Sequence, residues 1–387
     1  MESFWGYRRA DGKIGIRNHV AVVSSISCAN GVVEKICSEV PETTKIIHAN
    51  GCGRGGDDLL LHTRTLQNLV RNPNYACVLI VGLGCELIPA ESLHLAAVFA
   101  QKPAERVVIQ EEGGSEKTAR KGIEIARELL AEAKSIKAEQ IPFSQLSIGL
   151  KCGGSDAFSG LTANPAIGFA SDWLIKKGGR SILTEIEELK GTNRILMNRA
   201  VSPEVAERIN TIINQTNREA REILGELVKL TITTGNIEGG MTTILEKSLG
   251  SSVKGGSSPI NQVIESAEIP EEKGLILMNG TSYDPEAMTA LAAAGCQMIL
   301  FSTGRGTPLG FPGLPVIKIS SNNRLFQNFK QDIDINAGDI LEGKQPIEQV
   351  GEELVGLIKK VANGEKTKAE RNNQDGVLCM YTRNRSF

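Results

Sequence analysis

The sequence predicts an α/β fold: two mostly parallel, Rossmann-like or flavodoxin-like sheets with helices on both faces. Two observations carry that expectation. Short runs rich in Val and Ile, such as VAVVSSIS, VLIVGLG and LSIGLK, are closed by Gly, Asn or Ser, as buried strands of a parallel sheet are. These runs alternate with helical stretches along the chain, which is the order a parallel sheet with crossover helices requires.

The elements follow in sequence. YRRADGKIGIRN reads as a hairpin, with Asp11-Gly12 as a type I′ turn pair. A strand at 20–26 leads into a helix from about Asn30, then a strand near 45–48 and a helix around 58–71. A strand at 77–82, a helix after Pro89 and a strand at 106–110 come next. KTARKGIEIARELLAEAKS is an amphipathic helix. The polar stretch at 138–145 marks a boundary, giving an N-terminal α/β domain over 1–140 and a C-terminal one over 141–387. The second domain resumes with strands at 146–150 and 181–186, a helix near 165–177 between them, and a helical tract from about 203 to 230. Residues 231–262 form a Gly-rich functional loop around a short helix, MTTILEKSL. Strands return at 274–278, 298–302 and 315–319.

Composition narrows the function classes. The 387 residues carry a formal net charge of −2 and only 4% aromatics, so there is neither a basic footprint for nucleic acid nor a base-stacking platform. No apolar run approaches 18 residues and MESFWGYRRADG has no apolar signal core, so no membrane association is expected and a cytoplasmic location is. In that compartment the eight cysteines stay reduced and free for metals. No C-x-x-C pair is present, which removes zinc ribbons and thioredoxin-like sites. The first strand is not followed by G-x-G-x-x-G, which argues against a nicotinamide site.

Four cysteines stand directly behind hydrophobic runs: Cys28, Cys52, Cys85 and Cys152. Open α/β sheets bind ligands outside the carboxyl ends of their strands, so four soft ligands are expected to converge there on one metal. Cys37, Cys77, Cys296 and Cys379 lack the strand-end context and read as core or incidental residues. HANGCGRGGDD adds His48, the sharpest base candidate among four histidines. Asp57 and Asp58 in the same tract read as first-turn carboxylates of the next helix. GLGCE and KCGGSD add Glu86 and Asp156, each either a catalytic carboxylate or a helix cap. In STGRGTPLG, Arg305 between two glycines suits a carboxylate bidentately. Lys247 and Lys254, flanking the Gly-rich segment, are either contacts for the same acidic ligand or ordinary surface lysines, and Arg17 is a further candidate for the anion contact.

Taken together, GYRRADGKIGIRN, HANGCG, GLGCE, KCGGSD with SGLTANPA, GGMTTILEKSLG with KGG, and FSTGRG resemble the altronate/galactarate dehydratase family, in order and over essentially the whole chain. That family includes the large subunit of sulfolactate sulfo-lyase. The resemblance implies a lyase using Fe(II) that removes water, or sulfite in the sulfolactate branch, from a hydroxy acid. An iron–sulfur cluster held by three of the strand-end thiols is the alternative metal centre. The metal would bind the substrate, Arg305 its distal anionic end, and His48 or a carboxylate would move the proton. Many members carry a small β-rich domain ahead of the GYRRADG-like start, so a separate small subunit is an expected partner; homo-oligomerisation is left open. A non-catalytic sugar-acid-binding subunit is the reading from another class.

Overall fold

The alternating runs resolve into three sheets in a computed structural model of the chain, which describes residues 2–225 and 232–384. The last residues of the predicted 203–230 helical tract and the first of the 231–262 loop lie outside that description. In chain order the strands are β1 (Ser3–Arg8), β2 (Ile14–Gly15), β3 (His19–Ser24), β4 (Thr44–Ile46), β5 (Tyr75–Gly82), β6 (Ala104–Val108) and β7 (Glu139–Pro142). They continue with β8 (Ser147–Cys152), β9 (Arg180–Leu183), β10 (Ile260–Glu265), β11 (Gly274–Asn279), β12 (Met298–Thr303), β13 (Val316–Ser320) and β14 (Ile335–Asn336).

A smaller parallel sheet has the order β4-β3-β5-β6, and a larger parallel sheet the order β10-β11-β9-β8-β12-β13-β14. β2-β1-β7 is a small antiparallel sheet. Strand order reverses between β3 and β5 in the smaller sheet and between β8 and β12 in the larger. Crevices outside the carboxyl ends of strands at such reversals are where open α/β sheets bind ligands.

The strand β5, YACVLIVG, is buried at every residue, so its two faces need two partners. Val78 and Ile80 pack with Leu66 and Leu69 of the helix Gly56–Val70. Leu79 and Val81 pack with Ile36 and Ala126 of the helices Asn30–Glu39 and Ser115–Ser135. The first of these cores continues into Leu291, Ile299 and Phe301 of the larger sheet's layer, so the two sheets share apolar contacts.

Three local readings change. The hairpin turn is not type I′: Gly12 is left-handed (φ +82) but Asp11 is not, and Gly12 N–H donates to Arg9 O at 2.9 Å, so the turn is wider and only its last residue needs glycine. The polar boundary at 138–145 contains β7, which pairs with β1. The end of the Gly-rich loop contains β10, the edge strand of the larger sheet.

Arg17, read from the sequence as a substrate contact, is structural. It is 8% exposed, and all five of its N–H donors are taken. They go to both Glu370 carboxylate oxygens (2.8 and 3.0 Å) and to the carbonyls of Ile16, Val361 and Glu365. A substrate would find no free donor there. Among the described residues, no helix is long and apolar enough to cross a membrane.

Candidate functional site

The larger sheet's reversal point begins with β8, SIGLKC, whose six residues are all buried. A lysine in such a strand must find counter-charges inside the protein. Lys151 donates to Glu185, to Asp284 Oδ1 at 2.8 Å and to Ser282 O at 3.0 Å. Glu185 follows β9 and has a left-handed backbone (φ +72), uncommon for a residue with a side chain. Lys151, Lys254 and the Cys152 N–H (3.1 Å) hold its carboxylate, and such multiple anchoring is what lets a strained conformation persist.

The neighbouring thiol completes the network. Cys152 Sγ accepts from Lys254 Nζ at 2.9 Å and donates to Glu188 Oε2 at 3.2 Å. Glu188 Oε1 in turn faces Lys247 Nζ at 2.8 Å. Both lysines come from the Gly-rich segment: Lys247 from the helix Ile244–Ser252 and Lys254 from the 3₁₀ turn that follows. Asn236, capped by Thr233, accepts from Lys247 at 3.2 Å and donates to Ser155 O at 2.8 Å, fixing that segment over the end of β8.

Three ammonium groups thus face three carboxylates, Glu185, Glu188 and Asp284, with Cys152 between them. Burial lowers a lysine pKa, but Glu185 and Asp284 more than offset this for Lys151, and Cys152 and Glu185 do so for Lys254. Glu188 offsets it for Lys247. Burial, then the two neighbouring glutamates, push the Cys152 thiol up to about 12. Burial alone would raise Glu188, yet the three lysines hold it below the usual carboxylate range.

A cleft of about 370 Å³ opens on this network, lined by Cys152, Lys247, Ser155, Asn164 and Met241. A second cleft, of about 640 Å³, lies on the β12 side and is lined by Asp156, Arg305, Glu238 and Asn322. Asp156 is 4% exposed and accepts from Ser159, Ser321 and Asn322 at 2.7–2.9 Å, tying the loop after β8 to the loop after β13. Gly304 makes this possible, since a Cβ there would stand 2.2 Å from Asp156 Cγ. Arg305 reaches into the open cleft and pairs with Glu238 at 2.7 Å, the two side chains 43% and 57% exposed. An exposed pair of this kind contributes about 1 kcal/mol or less. Arg305→Ala is therefore expected to leave the unfolding midpoint nearly unchanged while raising KM for an acidic substrate. An unchanged KM would make Arg305 a surface residue only.

The other predicted residues lie at the smaller sheet. Cys28, Cys52 and Cys85 are exposed on the loops after β3, β4 and β5. His48 is 1% exposed, with Nε2 facing Ser24 O at 2.9 Å and Nδ1 accepting from Asn50 N–H at 3.1 Å. Both ring nitrogens are thus bound to backbone, a geometry that supports the loop instead of proton transfer. Glu86 is similarly occupied, accepting from Ser25 Oγ at 2.7 Å and Gly84 N–H at 2.6 Å. Asp57 and Asp58 occupy the first turn of the helix Gly56–Val70, as expected.

Burial lowers the pKa of His48 to about 4, well under the unfolded imidazole value near 6.5. Its contribution to stability is complete above about pH 6.5 and is lost as pH falls towards 4. His48→Gln should flatten that part of the stability–pH curve. An unaltered slope between those pH values would show that His48 does not contribute to it.

Among the described residues, the set whose ligand atoms lie within 4.8 Å of one another is Cys152, Glu185 and Glu188, so only one of the four strand-end thiols takes part in it. Glu185, Glu188 and Lys151 were not anticipated from the sequence. Lys151 was the readable signal, a charge inside an otherwise apolar strand.

Two family descriptions match the chain: D-galactarate/altronate dehydratase, C-terminal, over residues 143–384, and D-galactarate dehydratase/altronate hydrolase, second domain, over residues 6–134. Altronate dehydratase of Bacillus subtilis is 38% identical over 96% of this chain and 76% of its own length. Galactarate dehydratase (L-threo-forming) of Escherichia coli is 34% identical over 94% of this chain and 73% of its own. (2R)-sulfolactate sulfo-lyase subunit beta of Chromohalobacter salexigens is 34% identical over 95% and 94%.

Proposed function

Because this chain belongs to the D-galactarate/altronate dehydratase family, we propose that it is a hydro-lyase acting on a sugar acid, with its chemistry in the cleft at the β8–β12 reversal. What supports this is Lys247, which lines that cleft together with Cys152 and is paired at 2.8 Å with the buried Glu188 behind it.

Dehydration breaks the C2–H bond next to the substrate carboxylate. The electron pair becomes the C2–C3 double bond, and the C3 hydroxyl leaves as water once protonated. The enol then ketonises to a 2-keto-3-deoxy acid. In this reading Glu188, held ionised, takes the C2 proton, and the Lys247 ammonium protonates the departing hydroxyl. Their 2.8 Å contact lets the proton on Glu188 return to Lys247. The Lys254 ammonium lies behind the cleft wall, where it holds Glu185 and Cys152 in place. Arg305 takes a distal anionic group from the adjoining cleft.

The resemblance brings iron with it, and a thiolate with two carboxylates is a plausible donor type for a divalent ion. The arrangement does not fit one as it stands. Lys254 occupies Cys152 and Glu185, Lys247 occupies Glu188, and the three ammonium groups already balance the three carboxylates. A divalent ion would bury two further charges unless Cys152 and a lysine lost protons.

A sulfo-lyase reading stands second, because identity does not separate the two substrates: the galactarate dehydratase and sulfolactate relatives are both 34% identical to this chain. There the same elimination would release sulfite and leave pyruvate. Since one relative is named as a subunit, we include a second, small subunit as a proposed partner. Altronate, galactarate and (2R)-sulfolactate should be assayed with and without that subunit, following 2-keto acid and sulfite. Turnover of none of them by folded protein in either state would overturn the lyase reading.

A further inference from the structure

The strands of the larger sheet have a second cleft at their other end. Ser147, the first residue of β8, borders a cleft of about 120 Å³, whereas Cys152, the last, borders the cleft assigned to the elimination. A strand of that length spans about 17 Å, so the two clefts are separate. We propose that the cleft at the amino-terminal end binds a small phosphate-type oxyanion, held by Lys13, Arg71 and Arg180.

The first support is charge. Three cationic side chains line this cleft and no carboxylate does. The cleft that holds Arg305, by contrast, also holds Asp156 and Glu238.

The second support is that these cations are not spent. Among the described residues neither guanidinium takes part in an ion pair. Arg180 Nε donates to Glu272 O at 2.7 Å, and its two terminal nitrogens make no hydrogen bond to a described residue. Arg71 makes a single bond, from Nη1 to Asn68 Oδ1 at 3.3 Å, and its Nε is buried without an acceptor. Lys13 has only a loose contact with Asp11, at 3.4 Å. Burial lowers the Arg180 pKa, and Cys296 and Glu272 offset this only in part. Taking a charge out of water without a counter-charge is costly, and a bound anion would supply one.

The third support is that the walls are already joined. Gln297 Nε2 donates to Ile14 O and, at 3.2 Å, to Gln145 O. Asn72 Nδ2 donates to Ala292 O at 2.7 Å and to Cys296 O at 2.9 Å. The N-terminal hairpin, the end of the helix Gly56–Val70 and the larger sheet are thereby fixed to one another, so little ordering remains for a ligand to bring about.

Size and charge select the ligand class. Pockets for whole small molecules usually measure about 300–1,000 Å³, so this cleft takes one compact group. A guanidinium fork matches two oxygens of a phosphate, and three positive charges favour a dianion over a single carboxylate. That group is either free phosphate or the phosphate end of a small metabolite.

The test involves no substrate, so its failure leaves the lyase reading intact. Calorimetric titration of the full chain at constant ionic strength measures binding of inorganic phosphate, methyl phosphate and acetate. One phosphate per chain should bind, about tenfold or more tightly than acetate. Methyl phosphate binding as well as phosphate assigns the site to a phosphate terminus, and its failure to bind assigns it to the free anion. Arg180→Gln keeps an N–H for Glu272 O, and it should weaken phosphate by about tenfold or more, as should Arg71→Gln. Arg305→Ala should leave phosphate binding unchanged. Thermal unfolding supplies a second readout. Phosphate should raise the midpoint of the wild-type chain but not of Arg180→Gln. Without phosphate, Arg180→Gln should unfold no earlier than wild type, because it removes an uncompensated charge. Phosphate bound no better than acetate, or binding lost in Arg305→Ala and kept in Arg180→Gln, would overturn the proposal.

Discussion

Glu185→Gln is expected to cost about 3–5 kcal/mol of stability, the largest loss of any single substitution considered. The carboxylate faces two buried ammonium groups, Lys151 and Lys254, all three side chains being fully inaccessible to solvent. Removing its charge leaves three ammonium groups, Lys151, Lys247 and Lys254, against the two carboxylates of Glu188 and Asp284, with Lys151 and Lys254 closed off from solvent. Lys254→Met is expected to cost a similar amount for the converse reason. The double variant should be less destabilised than the sum of the two, because it removes both members of a pair. Urea unfolding of the four proteins measures this directly. Simple additivity would mean that the two residues do not act as one buried unit.

Lys247→Ala is expected to lower kcat by about 10²–10⁴-fold, the usual range for a positioned acid or base. Its effect on stability should be smaller than that of Glu185→Gln, since Lys247 lies at the cleft wall and is 9% exposed. Lys247→Arg keeps the charge but donates a proton far less readily, so it should restore folding and not turnover. Glu188→Gln should fall in the same kinetic class. If Lys247→Ala changes KM and leaves kcat intact, the residue binds substrate and the proton donor lies elsewhere. The variants should be compared at saturating substrate, where only the chemical and release steps are read.

The sheets were legible because burial on both faces forces long apolar strands, and VAVV, CVLIVG and LSIGL carry that mark. Edge elements were harder. β7 has only four residues, two of them exposed, and β10 carries Asn, Gln and Glu, so neither shows an apolar run. At the site, Cys152, Lys247 and Lys254 were readable as types that need partners. Glu185 and Glu188 were not, because LTEIEEL looks like an ordinary charged connection. What buries them is the Gly-rich segment folding over the strand end, a tertiary event with no local signature. The partners of Arg17 and His48 are hidden from the sequence for a related reason. A guanidinium or an imidazole in a glycine-rich tract looks functional until its partners are seen, more than 300 residues away for Arg17, and at the end of β3 and two residues along its own loop for His48.

The Arg17 contacts also bear on the order in which the protein can be made. A chain emerging from the ribosome presents the smaller sheet first, and its strands can pair as soon as residue 108 is available. Arg17 cannot be neutralised then, because Glu370 lies 353 residues further on. Domains tend to fold as units during synthesis, so the early unit must carry a charged, unpartnered guanidinium until translation is nearly finished. The N-terminal and C-terminal segments therefore close the structure together, and the final step is an ion-pair latch. Chains truncated shortly before residue 361 should retain parallel-sheet structure yet be readily cleaved near Arg17 by trypsin, whereas the full chain resists cleavage there.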